Sequence, residues 1–280
     1  MLGRPMVASL AFDKYEGLGN DFIVIDAADE RAIDTGEAVA LCDRRLGVGA
    51  DGVLLVLPGL HGHSDARMRV INADGSIPEM CGNGVRCVAL HVARGRAIPF
   101  GRLRIATDAG LRSCAVDDVG GFPMVAVDMG VVRLLGDHRV DVDGEAHTLA
   151  LADAGNPHAV IMGDFSRRDV ERIGPRLAKH PDFPRGTNVE FARARPEGID
   201  LVVWERGVGI TLACGTGACA TAAVACAQGA AAYGAAIAVN LPGGRLDVTI
   251  APGGHATMRG PAKYVFSGHW PRTMPAPRVA

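Results

Sequence analysis

The sequence predicts an α+β protein built from two similar halves. Three observations carry that expectation. Many short β-type runs alternate with few helical ones. An ungapped offset of 133 residues lays Val70-Ile71-Asn72 on Val203-Trp204-Glu205, and Cys81-Gly82-Asn83-Gly84 on Cys214-Gly215-Thr216-Gly217. A looser match, Leu18-Gly19-Asn20-Asp21 with Ala154-Gly155-Asn156-Pro157, recurs at an offset of 136. Each half thus reads as a Gly-Asn turn, a strand, and Cys-Gly-x-Gly opening a helix. Two such halves facing each other bring one cysteine from each together.

The elements follow in order. Phe22–Asp26 (FIVID) is a strand and Ala38–Arg45 a helix. Val53–Leu57 is a buried strand, followed by a Pro-Gly-His loop at 58–63, and Met68–Asn72 alternates as a strand does. Val85–Arg94 is a short helix stopped by Gly95. Strands follow at Leu103–Ala106, Cys114–Val116 and Met124–Val127. The second half repeats the plan: strand Ala159–Met162, helix Asp169–Lys179, strands Val189–Ala192 and Leu201–Trp204, and helix Ala218–Gln228. Ala236–Val239, Leu246–Ile250 and Thr257–Met258 are the last strands. The boundary is expected near Gly120-Gly121, giving half-domains 1–121 and 122–264, with residues 1–11 a loose extension.

With 280 residues the chain can bury two cores, and 48% apolar with 21% charged residues excludes a disordered chain. No apolar run approaches the ~20 residues of a membrane-spanning helix. A net charge of −2 gives no electrostatic footprint for nucleic acid or an anionic membrane. The stretch before Phe12 is too short for a secretory signal, so an untargeted cytoplasmic protein is expected. Seven cysteines, an odd number in a chain of this size, argue against a disulfide framework. No Cys-x-x-Cys occurs and no metal site is expected.

Cys-Gly-x-Gly before a helix has a physical meaning. Glycines let a ligand approach the backbone closely. The first N–H groups of the helix point outward unpaired and favour an anion there. The same field lowers a thiol's pKa and makes it a better base. Two such ends, converging, hold one carboxylate between two thiols. That suits inversion of an amino-acid α-carbon, where one group removes a proton and another returns one from behind. Core packing, a disulfide and a redox pair are the competing readings of Cys81 and Cys214. Cys87, Cys219 and Cys226, on the following helices, read as packing residues.

Other motifs carry less. Gly47-Val48-Gly49-Ala50-Asp51-Gly52 spells GxGxxG but precedes a strand, and Gly215–Ala220 lacks an acidic residue ending the next strand. His61-Gly62-His63 reads as a solvated loop. Asn20, Asn72, Asn156 and Asn188 sit at turns or strand ends, and with Glu205-Arg206 would make a pocket for a zwitterion. The only lysines are Lys14, Lys179 and Lys263, none in a context suggesting a pyridoxal phosphate site.

At this point the chain resembles the diaminopimelate epimerase family from Phe12 onward. The segments carrying the resemblance are Gly17–Phe22, Asn72–Ser76 leading into Met80–Cys87, Gly155–His158, Thr187–Phe191, Glu205–Gly207 and Leu212–Ala220. The resemblance implies a cofactor-independent epimerase converting LL- to meso-diaminopimelate, for lysine and peptidoglycan precursors. It implies two pseudo-symmetric halves, each a mixed sheet wrapped around a central helix, with the site in the cleft between them. The tail, 265–280, is expected to return to the first half, and the enzyme to be a homodimer. Carried over, Cys81 and Cys214 are the acid–base pair. Gly82, Asn83, Gly215 and Thr216 hold the α-carboxylate. Asn20, Asn72, Asn156, Asn188, Glu205 and Arg206 bind substrate, Arg206 as a bidentate carboxylate clamp. His158 and Glu205 tune the thiols. Two departures stand out: Gly52 where some members have a binding Gln, and Ile210 where a Glu is common.

Overall fold

In the computed structural model, residues 9–78, 80–96 and 101–272 are described. The chain runs through β1 (Ser9–Gly17), β2 (Asn20–Asp26), α1 (Thr35–Cys42), β3 (Gly52–Pro58), β4 (Ala66–Asn72), α2 (Gly82–Gly95), β5 (Gly101–Thr107), β6 (Gly110–Val119) and β7 (Phe122–Val131). It continues through β8 (Arg133–Val142), β9 (Glu145–Asp153), β10 (Pro157–Met162), α3 (Arg167–Ala178), β11 (Asn188–Arg195), β12 (Gly198–Glu205) and the short β13 (Gly209–Ile210). Then come α4 (Gly215–Ala227), β14 (Ala236–Leu241), β15 (Gly244–Ile250), β16 (His255–Pro261) and β17 (Lys263–Pro271).

The strand pairings form one continuous ribbon. β17, β1, β2, β3, β4, β5, β6 and β7 follow one another, and β7 then pairs with β16. From there the order is β15, β14, β12, β11, β10, β9 and β8. The halves match pair for pair: β2–β3 and β10–β11 are parallel, as are β4–β5 and β12–β14. At the seam, Ala126 on β7 faces Arg259 on β16, two positions related by the repeat offset of 133. The pseudo-two-fold axis therefore passes through this antiparallel pair. Gly120 and Gly121, both with positive φ, make the β6–β7 turn, and β7 packs on α2, so the seam lies one strand beyond the expected boundary.

Each half wraps its sheet around one helix. α2 packs against β1 to β7 and β17; α4 packs against β9 to β12 and β14 to β16. α4, GTGACATAAVACA, is buried on all sides except at its last residue, which explains its small side chains. One apolar cluster surrounds both helices, and two smaller ones lie under α1 and α3.

One difference from the sequence reading concerns the N-terminal end. β1 starts at Ser9, so residues 9–11 are strand instead of loose extension; residues 1–8 lie outside the described residues. The tail residues 265–271 belong to β17, which pairs antiparallel with β1 from Ser9↔Pro271 to Glu16↔Lys263. Residues 273–280 lie outside the described residues. Tyr264 of β17 lies under the Arg94 guanidinium of α2, 3.8 Å from ring centroid to Cζ.

The halves also meet at the β1–β2 turn. Leu18 and Gly19 both have positive φ (58° and 79°), the two-residue turn that suits a twisted hairpin. For Leu18 that conformation costs about 1–2 kcal/mol. Its buried side chain reaches Gly244 of the second half, and its carbonyl lies against Gly243.

Candidate active site

α2 and α4 begin in the same way. Cys81 (φ −140°, ψ 101°) and Cys214 (φ −125°, ψ 109°) are their N-caps, with sulfur where Ser or Asp is usual. Gly84 N–H donates to Cys81 Sγ at 3.3 Å, and Gly217 N–H to Cys214 Sγ at 3.4 Å. The two helix starts abut: a Cβ placed on Gly82 would lie 3.7 Å from Gly215 Cα, and the reverse holds.

Between them opens a cavity of about 670 Å³, walled by Cys81, Gly82, Asn83, Cys214, Gly215 and Thr216 together with Asn20, Asn72, Asn156 and Glu205. Two helix N-termini therefore face one space, each favouring negative charge. Asn83 spans the halves, its Nδ2 donating to Ala213 O at 3.0 Å and to Asn20 Oδ1 at 3.1 Å. Asn20 in turn donates to Asp51 Oδ2 at 2.6 Å. Behind it Lys14, Asp21, Arg44 and Asp51 form an ion-pair chain, with Arg44 2.6 Å from Asp21 and 2.8 Å from Asp51. Burial alone would push the Asp21 carboxyl up, but hydrogen bonds from Arg44 and Lys14 hold it below the usual range. Asn72 is pinned by its turn, Nδ2 donating to Ser76 Oγ at 2.9 Å.

Three expected residues stand behind the cavity wall. His158 is fully buried; its Nδ1–H donates to Glu190 Oε1 at 2.6 Å and its Nε2 faces the Asn156 side chain at 2.8 Å. Asn188 is buried, donating to Pro157 O at 3.1 Å and accepting the Arg206 backbone N–H at 2.9 Å. The Arg206 guanidinium turns away to Arg185 O, at 2.8 Å. Gly52 explains its own departure: a Cβ there would lie 2.9 Å from Ile71 O, so this backbone has no room for a Gln contact. Ile210 lies on the cavity wall and packs onto the cluster beneath α3.

Sequence reasoning gave no role to Glu190, Arg86, Arg44 or Asp51. The repeat exposes the first two. His158, Glu190 and Glu205 occupy positions filled by Phe22, Leu54 and Asn72 in the first half, at offsets of 136, 136 and 133. Leu54 packs against Gly84 where Glu190 lies against Gly217, so the thiols sit on unlike floors. Burial raises both thiols. Cys81 is pushed up to about 11, opposed by the Gly84 N–H. Cys214 is raised well above the ordinary thiol value, by burial and then by Glu205 and Glu190. Burial also raises the Glu205 carboxyl, against the pull of Thr211, whose hydroxyl donates to it at 2.6 Å. Among the described residues all seven cysteines are free, and no cluster of side chains suits a metal ion. No helix there is long and apolar enough to cross a membrane.

Comparison with known proteins agrees with this geometry. The family model described as diaminopimelate epimerase matches residues 12–135 and 150–265. The chain is 44% identical to a diaminopimelate epimerase of Synechococcus elongatus over 279 residues, covering 93% of this chain and 98% of that one. A diaminopimelate epimerase of Desulfitobacterium hafniense is 42% identical, over 91% and 96% of the two chains. Among solved structures, a hydroxyproline epimerase from Agrobacterium vitis superposes with a TM-score of 0.74 at 18% identity, covering 95% of this chain and 93% of that one. A phenazine biosynthesis protein of Bacillus anthracis gives 0.74 at 15%, over 94% and 99%. At those identities the structures share the fold.

Proposed function

The chain belongs to the diaminopimelate epimerase family, and on that premise we propose that Cys81 and Cys214 carry its two proton transfers. Its activity is the epimerisation of LL-2,6-diaminopimelate to the meso form, in lysine biosynthesis. The observation that carries the proposal is the pair of cysteine-capped helix starts abutting at Gly82 and Gly215 on one cavity.

In this reading the α-carboxylate of one end of the substrate sits between the two helix N-termini. Gly82, Asn83, Gly215 and Thr216 supply the donors. One sulfur, as thiolate, takes the α-proton, and the C–H electron pair delocalises into the carboxylate. The helix ends stabilise that developing charge more than the ground state, which is where rate is gained. The other sulfur, as thiol, returns a proton to the opposite face. The pair finishes with its protonation states exchanged, and the α-carbon inverted. Asn20, Asn72 and Asn156 are placed to orient the ammonium and distal groups. Asn188 and Arg206 act at the distal end once the Arg206 guanidinium swings in from Arg185. Glu205 and His158 set the protonation of Cys214. A homodimer, and residence in the reducing cytoplasm that free thiols require, complete the proposal.

The test follows α-deuterium uptake and the LL-to-meso ratio together, in deuterated water with reduced protein. Cys81→Ser and Cys214→Ser are each expected to lose epimerisation by several orders of magnitude, because an alcohol is a far poorer base. Near-normal inversion in either variant rules out the two-thiol mechanism. Light scattering on the eluted protein reads the dimer.

A further inference from the structure

We propose that Asp51 is a positioning residue for the epimerisation: its carboxylate fixes which end of the Asn20 side-chain amide faces the substrate. The inference rests on the placement of Asn20 toward substrate given above and deepens it. An amide side chain carries a donor end and an acceptor end on one flat frame, so turning it over reverses what it offers. Asn20 lies on the cavity wall, and its two ends are committed to different partners. Nδ2 donates to Asp51 Oδ2 at 2.6 Å, and Oδ1 accepts from Asn83 Nδ2 at 3.1 Å. An ionised carboxylate only accepts. Turning the amide over would set Oδ1 against that carboxylate and Nδ2 against the Asn83 Nδ2. Asn83 does not follow, because its Nδ2 also donates to Ala213 O at 3.0 Å, and a backbone carbonyl only accepts.

The acceptor that Asp51 aims at Asn20 is itself held in place. Its Oδ2 also accepts the Asp21 N–H at 3.1 Å, and its Oδ1 accepts from Arg44 at 2.8 Å. The Asp51 N–H donates to Asp21 O at 2.9 Å, and Asp51 O accepts the Ala73 N–H at 3.0 Å. The consequence falls on the cavity. An amide oxygen has two lone pairs, and Asn83 uses one on Asn20 Oδ1. The other is left for a donor in the cavity. The substrate's ammonium is such a donor and its carboxylate is not. Asp51 thus decides, through Asn20, that this corner takes the ammonium and leaves the carboxylate to the helix starts.

The repeat shows that the device belongs to one half. At the offset of 136, Asn20 matches Asn156 and Asp51 matches Thr187. The Thr187 hydroxyl donates to Asn188 O at 3.0 Å, and Asn156 instead meets His158 Nε2 at 2.8 Å. A neutral imidazole nitrogen donates or accepts according to where the ring proton sits. Of the two matching asparagines, Asn20 is the one braced by a group that only accepts.

The competing role is a plain brace, in which the Asp51–Arg44 ion pair holds β2 to the turn ahead of β3. Steady-state kinetics on LL-diaminopimelate separate the two. Asp51→Ala removes the acceptor, whereas Asp51→Asn keeps one for Asn20 and drops the charge. Asp51→Ala is expected to raise KM about tenfold with kcat within about threefold, and Asp51→Asn to stay within about threefold in both. Asn20→Ala is expected to raise KM as Asp51→Ala does. Adding Asp51→Ala to it should then change nothing further, since a residue acting through Asn20 has no route without it. A brace predicts instead the same added loss with or without Asn20, and equal damage from Asn and Ala. Either result in folded variants overturns the proposal. In deuterium-exchanged crystals of the unsubstituted protein, neutron diffraction reads the amide directly. An ND2 group toward Asp51 is expected; oxygen there overturns the proposal whether or not any variant folds. An unchanged KM in Asn20→Ala removes the placement of Asn20 and this inference with it, and leaves the two-thiol mechanism to its own test.

Discussion

Gly243→Ala is the substitution for which the structure fixes the most. Gly243 sits in the β14–β15 turn, and a methyl there would lie 1.9 Å from Leu18 O, 2.8 Å from Leu18 C and 3.0 Å from Leu212 O. Real Cβ contacts essentially never fall under 3.0 Å, and each atom in the way is backbone. The Leu18–Gly19 turn must therefore retreat by about 1 Å, and overpacking of that kind costs about 1–3 kcal/mol. Gly243 itself has no positive φ, so the whole effect is this collision. Asn20, two residues from Leu18, then leaves Asn83, which it meets at 3.1 Å on the cavity wall. A 1 Å displacement near the reacting centre can cost about a hundredfold in rate. Turnover of LL-diaminopimelate is expected to fall about ten- to a hundredfold, with the urea midpoint lowered and the far-UV dichroism retained. Gly95→Ala is the control: nothing lies within 4 Å of its added methyl, at the end of α2, and activity is expected to be unchanged. Wild-type turnover and an unchanged urea midpoint for Gly243→Ala would refute the reasoning.

Three further outcomes follow. Cys87, Cys114 and Cys219 are each raised by burial to about 12, so the folded chain holds protons that the unfolded chain releases above about 8.5. Their contribution is whole below that pH and is lost as pH rises toward 12, at about 1.4 kcal/mol per unit for each thiol. Urea midpoints measured from pH 8 to 10.5 should fall steadily, and a flat profile counts against it. Glu205→Gln removes a negative charge that raises both Cys214 and Cys81, so both thiols should alkylate faster at a fixed mildly alkaline pH. Equal or slower labelling of Cys214 contradicts the assignment. Glu190→Ala leaves the fully buried His158 without its 2.6 Å partner; a stability loss of about 3–5 kcal/mol is expected by calorimetry, where a loss under 1 shows the pair to be dispensable.

The repeat was the most legible feature of the chain. The offset of 133 that aligns the two cysteines also relates Ala126 to Arg259 at the seam. The sequence pattern starts the two central helices late, at Val85 and Ala218 instead of Gly82 and Gly215, because glycine is a poor helix former and hides a first turn that a cysteine caps. The β8–β9 hairpin leaves no signal in the sequence, since β8, RLLGDHRVDV, exposes most of its residues and reads as a loop. Asp13, Lys14 and Glu16 obscure β1 in the sequence; Lys14 is buried because Asp21 pairs with it at 2.5 Å and the Gly49 carbonyl accepts from it. Motif spacing identified the residues around the thiols. It could not show that Asn188 and Arg206 stand off the cavity wall here, or that Glu190 pairs with His158. Those depend on which face of a strand the fold turns inward, and a one-residue register change reverses that.

β17 has a consequence for how the molecule comes into being. The second half draws all its strands, β8 to β16, from one unbroken stretch of chain. The first half does not: its edge strand β1 is covered by residues 263–271. During synthesis the earlier half must wait, one strand short, while the later half is made. Until Tyr264 slides beneath Arg94 and Trp270 reaches Leu10, β1 presents an open row of N–H and C=O groups. The half translated first is thus completed last, and the nascent chain is most exposed to wrong pairing during that interval.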